Sequence, residues 1–322
     1  MLLTLLLDSV DTEPNPNSWK IFHDFYIDDD AVNVIRNQAQ KLVLLTETSA
    51  DWRSSPYGEI ITIANAETFR ALRLFWEKYV TPLHSDTPVC KGYRTAIKQV
   101  FDKHYNNEHF TATVTRSFGP LAMGARDIAV SHMQHFWKYG VVDPEDLPGG
   151  RLCNPLFVYS SVAGDSFAVH PDTSPLAAFH LAPALTNLVP ESPFYQGILD
   201  SETNVQQRVI LAAKMQFKAW CSAFQRVIRE NRSGIVIRFA VADPVPFCFA
   251  LQQRSALLHV KMFANHSRHW SGTELSLDGD PYLQNTSNPA PMLFNVIDAS
   301  FLIDQIGFIN LLVATVPLLE FS

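Results

Sequence analysis

The segment that most limits what this chain can fold into is FNVIDASFLIDQIGFINLLVATVPLL, running from Phe294 to Leu319. It opens with a strand-length apolar run, FNVID, predicted to be a short buried strand that ends on Asp298. An apolar stretch of helical character follows, a single helix or a helix pair. Asn310 interrupts it and Pro317 ends it, so it falls short of the roughly 20 apolar residues a membrane span needs. A strand that closes on an acid and leads into a helix is the repeating unit of parallel α/β sheets, where ligands gather at the carboxyl ends of the strands. The same order occurs at IVIRFAVAD, Ile235 to Asp243, a β-branched strand ending on an acid. Asp243 and Asp298 are therefore candidate pocket acids, although capping a following helix accounts for an acid at either place equally well.

Periodicity supplies the helices. Val209, Ala213, Phe217, Trp220, Phe224 and Val227 follow one another at steps of four and three, predicting a long core-facing helix over 205–230. Asp28, Asp29 and Asp30 precede Val32, Ile35, Ala39, Leu42 and Val43 at helical spacing. That is a capped helix start rather than a calcium loop, since no glycine turn or spaced ligand set follows. Further helices are predicted over 66–80, over 94–105, and from about Leu121 to a stop at Gly140. LFVYSS, from Leu156, reads as a strand. The length admits one elaborated domain or two closely packed ones. We take the former: one α/β domain over 1–322, mainly helical over 19–140, mixed α/β over 151–270, a polar surface loop over 271–292, and a terminal strand and helix over 293–322.

Composition closes off several functions. Acidic residues outnumber basic ones, 32 to 25, for a net charge of -7, and no basic cluster appears, so nucleic-acid binding is not expected. Membrane insertion is not expected either. Cys90, Cys153, Cys221 and Cys248 are widely spaced, which excludes a zinc site built from close cysteine pairs. They are expected to be buried free thiols in a reducing compartment, and the location expected is cytoplasmic. MLLTLLLDSV has neither a basic region nor a small-residue cleavage site, so the sequons at Asn231, Asn265 and Asn285 read as chance matches.

His170 and His180 flank a proline-containing loop and are candidates for a base or a metal pair. Local backbone hydrogen bonding explains them more simply, because no nucleophile or carboxylate partner is evident. Ser160, Ser161 and Ser166 lie near His170 but lack the G-x-S-x-G elbow. His132 and His135, three apart on a predicted helix with His104 and His109 upstream, lack a third ligand and read as ordinary helix histidines. No metal is expected.

Several segments taken together resemble a known family. They are LFVYSSVAGDSFAVHPDTSPLAAFHLA (Leu156 to Ala182), MQFKAWCSAFQRVI (Met215 to Ile228), IVIRFAVADPVPFCFAL (Ile235 to Leu251) and the C-terminal unit, with RSFGPLAMGA (Arg116 to Ala125) and the W-x-x-G at Trp137 to Gly140. The resemblance is to a fungal family of unknown function whose members often carry a C-terminal MYND zinc finger and whose N-terminal domain is shared with a dynein axonemal assembly factor. It implies an incomplete Rossmann-like, methyltransferase-like and mostly parallel sheet with large helical insertions. Members begin with a segment of the type LLLGCGD-x-R. MLLTLLLD resembles only the end of the leucine-rich helix beyond it, so the chain is expected to be truncated at both ends. Without the glycine turn and the following acid, S-adenosylmethionine would lose its main anchors.

Two departures fall inside the shared region. Members read HYGTDPL where this chain has HPDTSPL at His170 to Leu176, and LIDH where it has Leu302, Ile303, Asp304 and Gln305. The pocket residues implied are Asp243, Asp298, Asp304, His170 and His180. The function implied is a non-catalytic, degenerate methyltransferase-like domain that needs no cofactor and serves a protein partner as an assembly or adaptor module. The alternative is an S-adenosylmethionine-dependent methyltransferase whose cofactor loop lies outside this chain.

Overall fold

The computed structural model describes residues 1–104, 114–145, 152–159, 176, 178–185, 204–256, 261–263, 274–277, 282, 289–299 and 302–320. Its helices, in chain order, are α1 (Leu2–Asp8), α2 (Ser18–His23), α3 (Asp29–Leu44), α4 (Ser49–Ser54), α5 (Ala66–Tyr79), α6 (Pro88–His104), α7 (Ala122–Tyr139), α8 (Pro155–Val158), α9 (Val205–Glu230), α10 (Pro244–Ala256), α11 (Leu302–Ile306) and α12 (Phe308–Thr315). The strands are β1 (Tyr26–Ile27), β2 (Ile61–Ile63), β3 (Leu83–His84), β4 (Leu152–Cys153), β5 (Ile237–Phe239), β6 (Lys261–Phe263) and β7 (Glu274–Ser276). The fold is mixed α/β with helix predominating. The chain divides into two compact units, Met1–Trp52 with Arg73–Ile235, and Arg53–Leu72 with Val236–Ser322.

The helices form where local chemistry favours them. Asp28 Oδ1 accepts from the Ala31 N–H at 2.8 Å, and Ala31, Val32, Ile35, Ala39 and Leu42 then face inward from α3. Asn204 caps α9 through the Gln207 N–H at 2.9 Å. The buried stripe of α9 starts as predicted with Val209, Ala213 and Phe217, then continues through Cys221, Gln225 and Ile228, leaving Trp220 half exposed. Steps of four and three average 3.5 residues, and a straight helix turns every 3.6, so the buried face drifts off a strict heptad. α7 ends at Gly140, whose φ of 74° lies in the left-handed region.

The strands depart further from expectation. Among the described residues the pairings form three small sheets: β1–β4–β3 antiparallel, β6–β7 antiparallel, and β2–β5 parallel with Ile61 opposite Ile237. One mostly parallel sheet is not what these pairings make. LFVYSS does not begin as a strand, because Asn154 Oδ1 accepts from the Leu156 N–H and Pro155 opens the helical turn α8. FNVID is not a buried strand: Phe294 makes a single parallel bridge to Leu319, and Val296 is 81% exposed. β7 occupies part of the stretch predicted as loop over 271–292. Gly307, at a φ of 81°, separates α11 from α12, the predicted helix pair. Ala314 and Leu318 point inward there, while Phe308, Ile309, Leu312 and Val313 face outward.

In the first unit the buried core runs through Phe25, Tyr93, Phe136, Trp137, Val209 and Ala213. Cys90 and Cys153, both fully buried, are joined by a disulfide across a sequence separation of 63, which corrects the expectation of free thiols at these two positions. Their meeting depends on β4 pairing, which cysteine spacing does not reveal. Such bonds persist in oxidising surroundings. Cys221 and Cys248 are free.

Beside this bond lies a buried polar knot. Asn154 donates through Nδ2 to the carbonyls of Ile21 (2.7 Å) and Asp24 (2.9 Å). Asp24 Oδ1 accepts from the Val142 N–H at 2.8 Å. The Gly140 carbonyl accepts from both Phe25 N–H (2.8 Å) and Tyr26 N–H (2.9 Å). A Cβ on Gly140 would stand 2.3 Å from Tyr26 Cδ2. Gly140→Ala is therefore expected to lower stability by about 2–4 kcal/mol, through left-handed strain and displacement of the Tyr26 ring. Asn154→Ala, which leaves two buried carbonyls without donors, is expected to cost about 2–4 kcal/mol. Urea denaturation followed by far-UV circular dichroism measures both, and a midpoint unchanged in either variant contradicts the role given to that residue.

Candidate functional site

The residues singled out in the sequence do not form one constellation among the described residues. Asp243 is a helix cap. Its Oδ1 accepts from the Val245 N–H at 3.2 Å, and its carbonyl accepts from the Phe247 N–H at 3.0 Å, at the start of α10. Asp298 is exposed in the irregular stretch before α11, and Asp304 lies within α11. His170 is outside the described residues, as are Ser160, Ser161, Ser166 and His109. His180 is exposed, and its backbone is held by α9: its N–H donates to Gln216 Oε1 at 2.9 Å, and its carbonyl accepts from Gln216 Nε2 at 2.6 Å. His180 belongs to the first unit and the three acids to the second. Among the described residues no group of three or more His, Cys, Asp or Glu side chains is placed to hold a metal, and no helix is long and apolar enough to cross a membrane.

What the first unit does build is a groove between α6 and α7, with a volume of about 850 Å³. α6 lines it with Arg94, Lys98 and Asp102, spaced at i, i+4 and i+8 on one face, together with Gln99. α7 lines it with Gln134, Trp137 and Lys138. Arg94 fastens the two helices to each other. Its Nε donates to the Trp137 carbonyl at 3.0 Å, a terminal nitrogen reaches the carbonyls of Trp137 and Lys138, and the other donates to the Tyr26 hydroxyl at 2.9 Å. A guanidinium at a helix C-terminus meets orphan carbonyls and the negative end of the dipole together. Lys98 and Lys138 are exposed on the rim. Trp137 is 6% exposed, and its indole N–H has no acceptor.

The sequence predicts the helix over 94–105, but nothing local pairs Arg94, Lys98 and Asp102 with Trp137 and Lys138.

His132 and His135 occupy a different part of α7. His132 is buried and its Nε2 has no partner. Burial pushes its pKa down to about 4; the neighbouring His135 adds to the shift and Asp143 opposes it. Burial lowers His135 as well. Asp143 in turn pairs with Lys214 on α9, whose ammonium lies 5.9 Å from the Trp19 ring centre. Burial thus keeps both imidazoles in the neutral form beside the Asp143–Lys214 ion pair.

Comparisons with protein-family models, with curated proteins and with solved structures return no match.

The histidine generates a pH prediction. Its folded pKa of about 4 lies below the unfolded value near 6.5, so the unfolded chain takes up the proton first. Stability is expected to fall as pH drops from about 6.5 to about 4, by on the order of 3 kcal/mol from this residue, with no further loss from it below that range. Urea midpoints measured across the interval are expected to fall less steeply in His132→Phe than in the wild type. Parallel pH profiles would contradict the assignment.

Proposed function

We propose that this chain is a non-catalytic assembly or adaptor module on a degenerate, Rossmann-like methyltransferase scaffold, and that it holds a protein partner in the α6–α7 groove. The groove carries the reading. Trp137 and Phe101 line it together with Lys98, Gln99, Gln134 and Lys138, the mixture of aromatic and polar side chains that protein-binding surfaces use. Asp243 favours the same reading, since it is engaged as a cap rather than presented to a ligand. On this proposal the module needs no cofactor and engages neither nucleic acid nor membrane.

A second reading has one observation in its favour. β2 and β5 pair in parallel, and Asp243 stands just past the carboxyl end of β5, where parallel sheets hold ligands. An S-adenosylmethionine-dependent methyltransferase completed by residues outside this chain would use that place.

A photo-crosslinking amino acid at Gln134, compared with the same group at Gln40 on the exposed side of α3, tests the adaptor reading. A discrete protein adduct from position 134 alone is expected; equal adducts from both positions, or none, overturn it. Calorimetry with S-adenosylmethionine is expected to show no binding, and saturable micromolar binding moves the assignment to the second reading.

A further inference from the structure

We infer that the segment held in the α6–α7 groove is an acidic peptide carrying an apolar anchor. This rests on the adaptor reading and names the chemistry of its partner. The chain as a whole is acidic, with a net charge of -7, yet among the described residues the groove is lined by Arg94, Lys98 and Lys138 against one carboxylate, Asp102. A cleft of one sign on a protein of the other selects its ligand by charge.

The groups left unspent there are mostly donors. Arg94 is committed to the C-terminal carbonyls of α7 and to Tyr26, so it shapes the wall and contributes field rather than free hydrogen bonds. Among the described residues neither Lys98 nor Lys138 forms an ion pair, and the Lys138 ammonium lies over the Tyr139 ring, 4.8 Å from its centre. A ligand that satisfies two exposed ammonium groups must bring acceptors, and carboxylates supply the strongest of these. The rings of Trp137 and Phe101 in the wall add a place for one apolar side chain.

A nucleic acid would bring acceptors as well, but its affinity depends on neutralising many phosphates at once. Three cations on an acidic chain suit a short acidic segment better. Two helices flanking an open groove also suit an extended or helical peptide better than a small molecule that a pocket must enclose.

Fluorescence anisotropy on the full chain provides the test, with a short fluorescein-labelled peptide of Glu-Glu-Leu repeats as probe and Lys-Lys-Leu repeats as control. The acidic probe is expected to bind saturably and more weakly as salt rises, and the basic control not at all. The double variant Lys98→Glu, Lys138→Glu is expected to bind the acidic probe about tenfold more weakly. The milder Lys98→Gln, Lys138→Gln is expected to fall between, and both to keep the wild-type circular dichroism spectrum. The inference is overturned if the acidic probe does not bind, if the Gln pair binds it as the wild type does, or if a labelled single-stranded oligonucleotide binds in its place. Crosslinking from Gln134 separates the two levels. An adduct without acidic-probe binding leaves the adaptor reading standing and removes this one, and failure of both removes both.

Discussion

The first unit is organised around one buried hydrogen-bonded knot. Asn154, with no solvent exposure, uses its amide nitrogen on the carbonyls of Ile21 and Asp24 and its amide oxygen on the Leu156 N–H. Those carbonyls lie where α2 ends and the chain turns into β1, so a single side chain closes the helix, starts the strand and caps α8. Gly140 completes the arrangement from the other side, presenting one carbonyl to two successive N–H groups. Groups buried this deeply are costly when left unpaired. The knot therefore specifies one arrangement of its segments, as a purely apolar contact would not.

The groove follows from that arrangement. Gly140 stops α7, and the carbonyls of its last turn are then free for Arg94 of α6. The same arginine reaches the Tyr26 hydroxyl, and the Tyr26 ring lies against Gly140. The middle of α6, the end of α7 and β1 are thus held by one cation and one left-handed glycine. The spacing between α6 and α7, and with it the shape of the groove, depends on both.

The helices were legible in the sequence because helix signals are local. The Asp28 cap, the Gly140 stop and the periodicity over 205–230 each involve residues within a few positions of one another, and each stands in the structure. The strands were far less legible. The apolar run of FNVID gave way to one bridge because its pairing partner, Leu319, offers a single position rather than a ladder. LFVYSS carried β-prone residues, but Asn154 and Pro155 ahead of it started a helical turn, and capping chemistry overrode propensity. Of the candidate site residues, Asp243 proved to be the cap that the sequence already allowed as its plainer explanation.

By itself the sequence determined the longer helices, the cap at Asp28, the stop at Gly140 and the acidic balance of the chain, since these depend on neighbours along the backbone and on composition. Only the tertiary structure decided that Cys90 meets Cys153, that Arg94 meets the end of α7, and that Lys98 and Lys138 share a groove with a buried indole. Each of those meetings joins residues far apart in the chain. They arise from how buried polar groups find partners when the segments pack, and no local pattern of residues encodes that outcome.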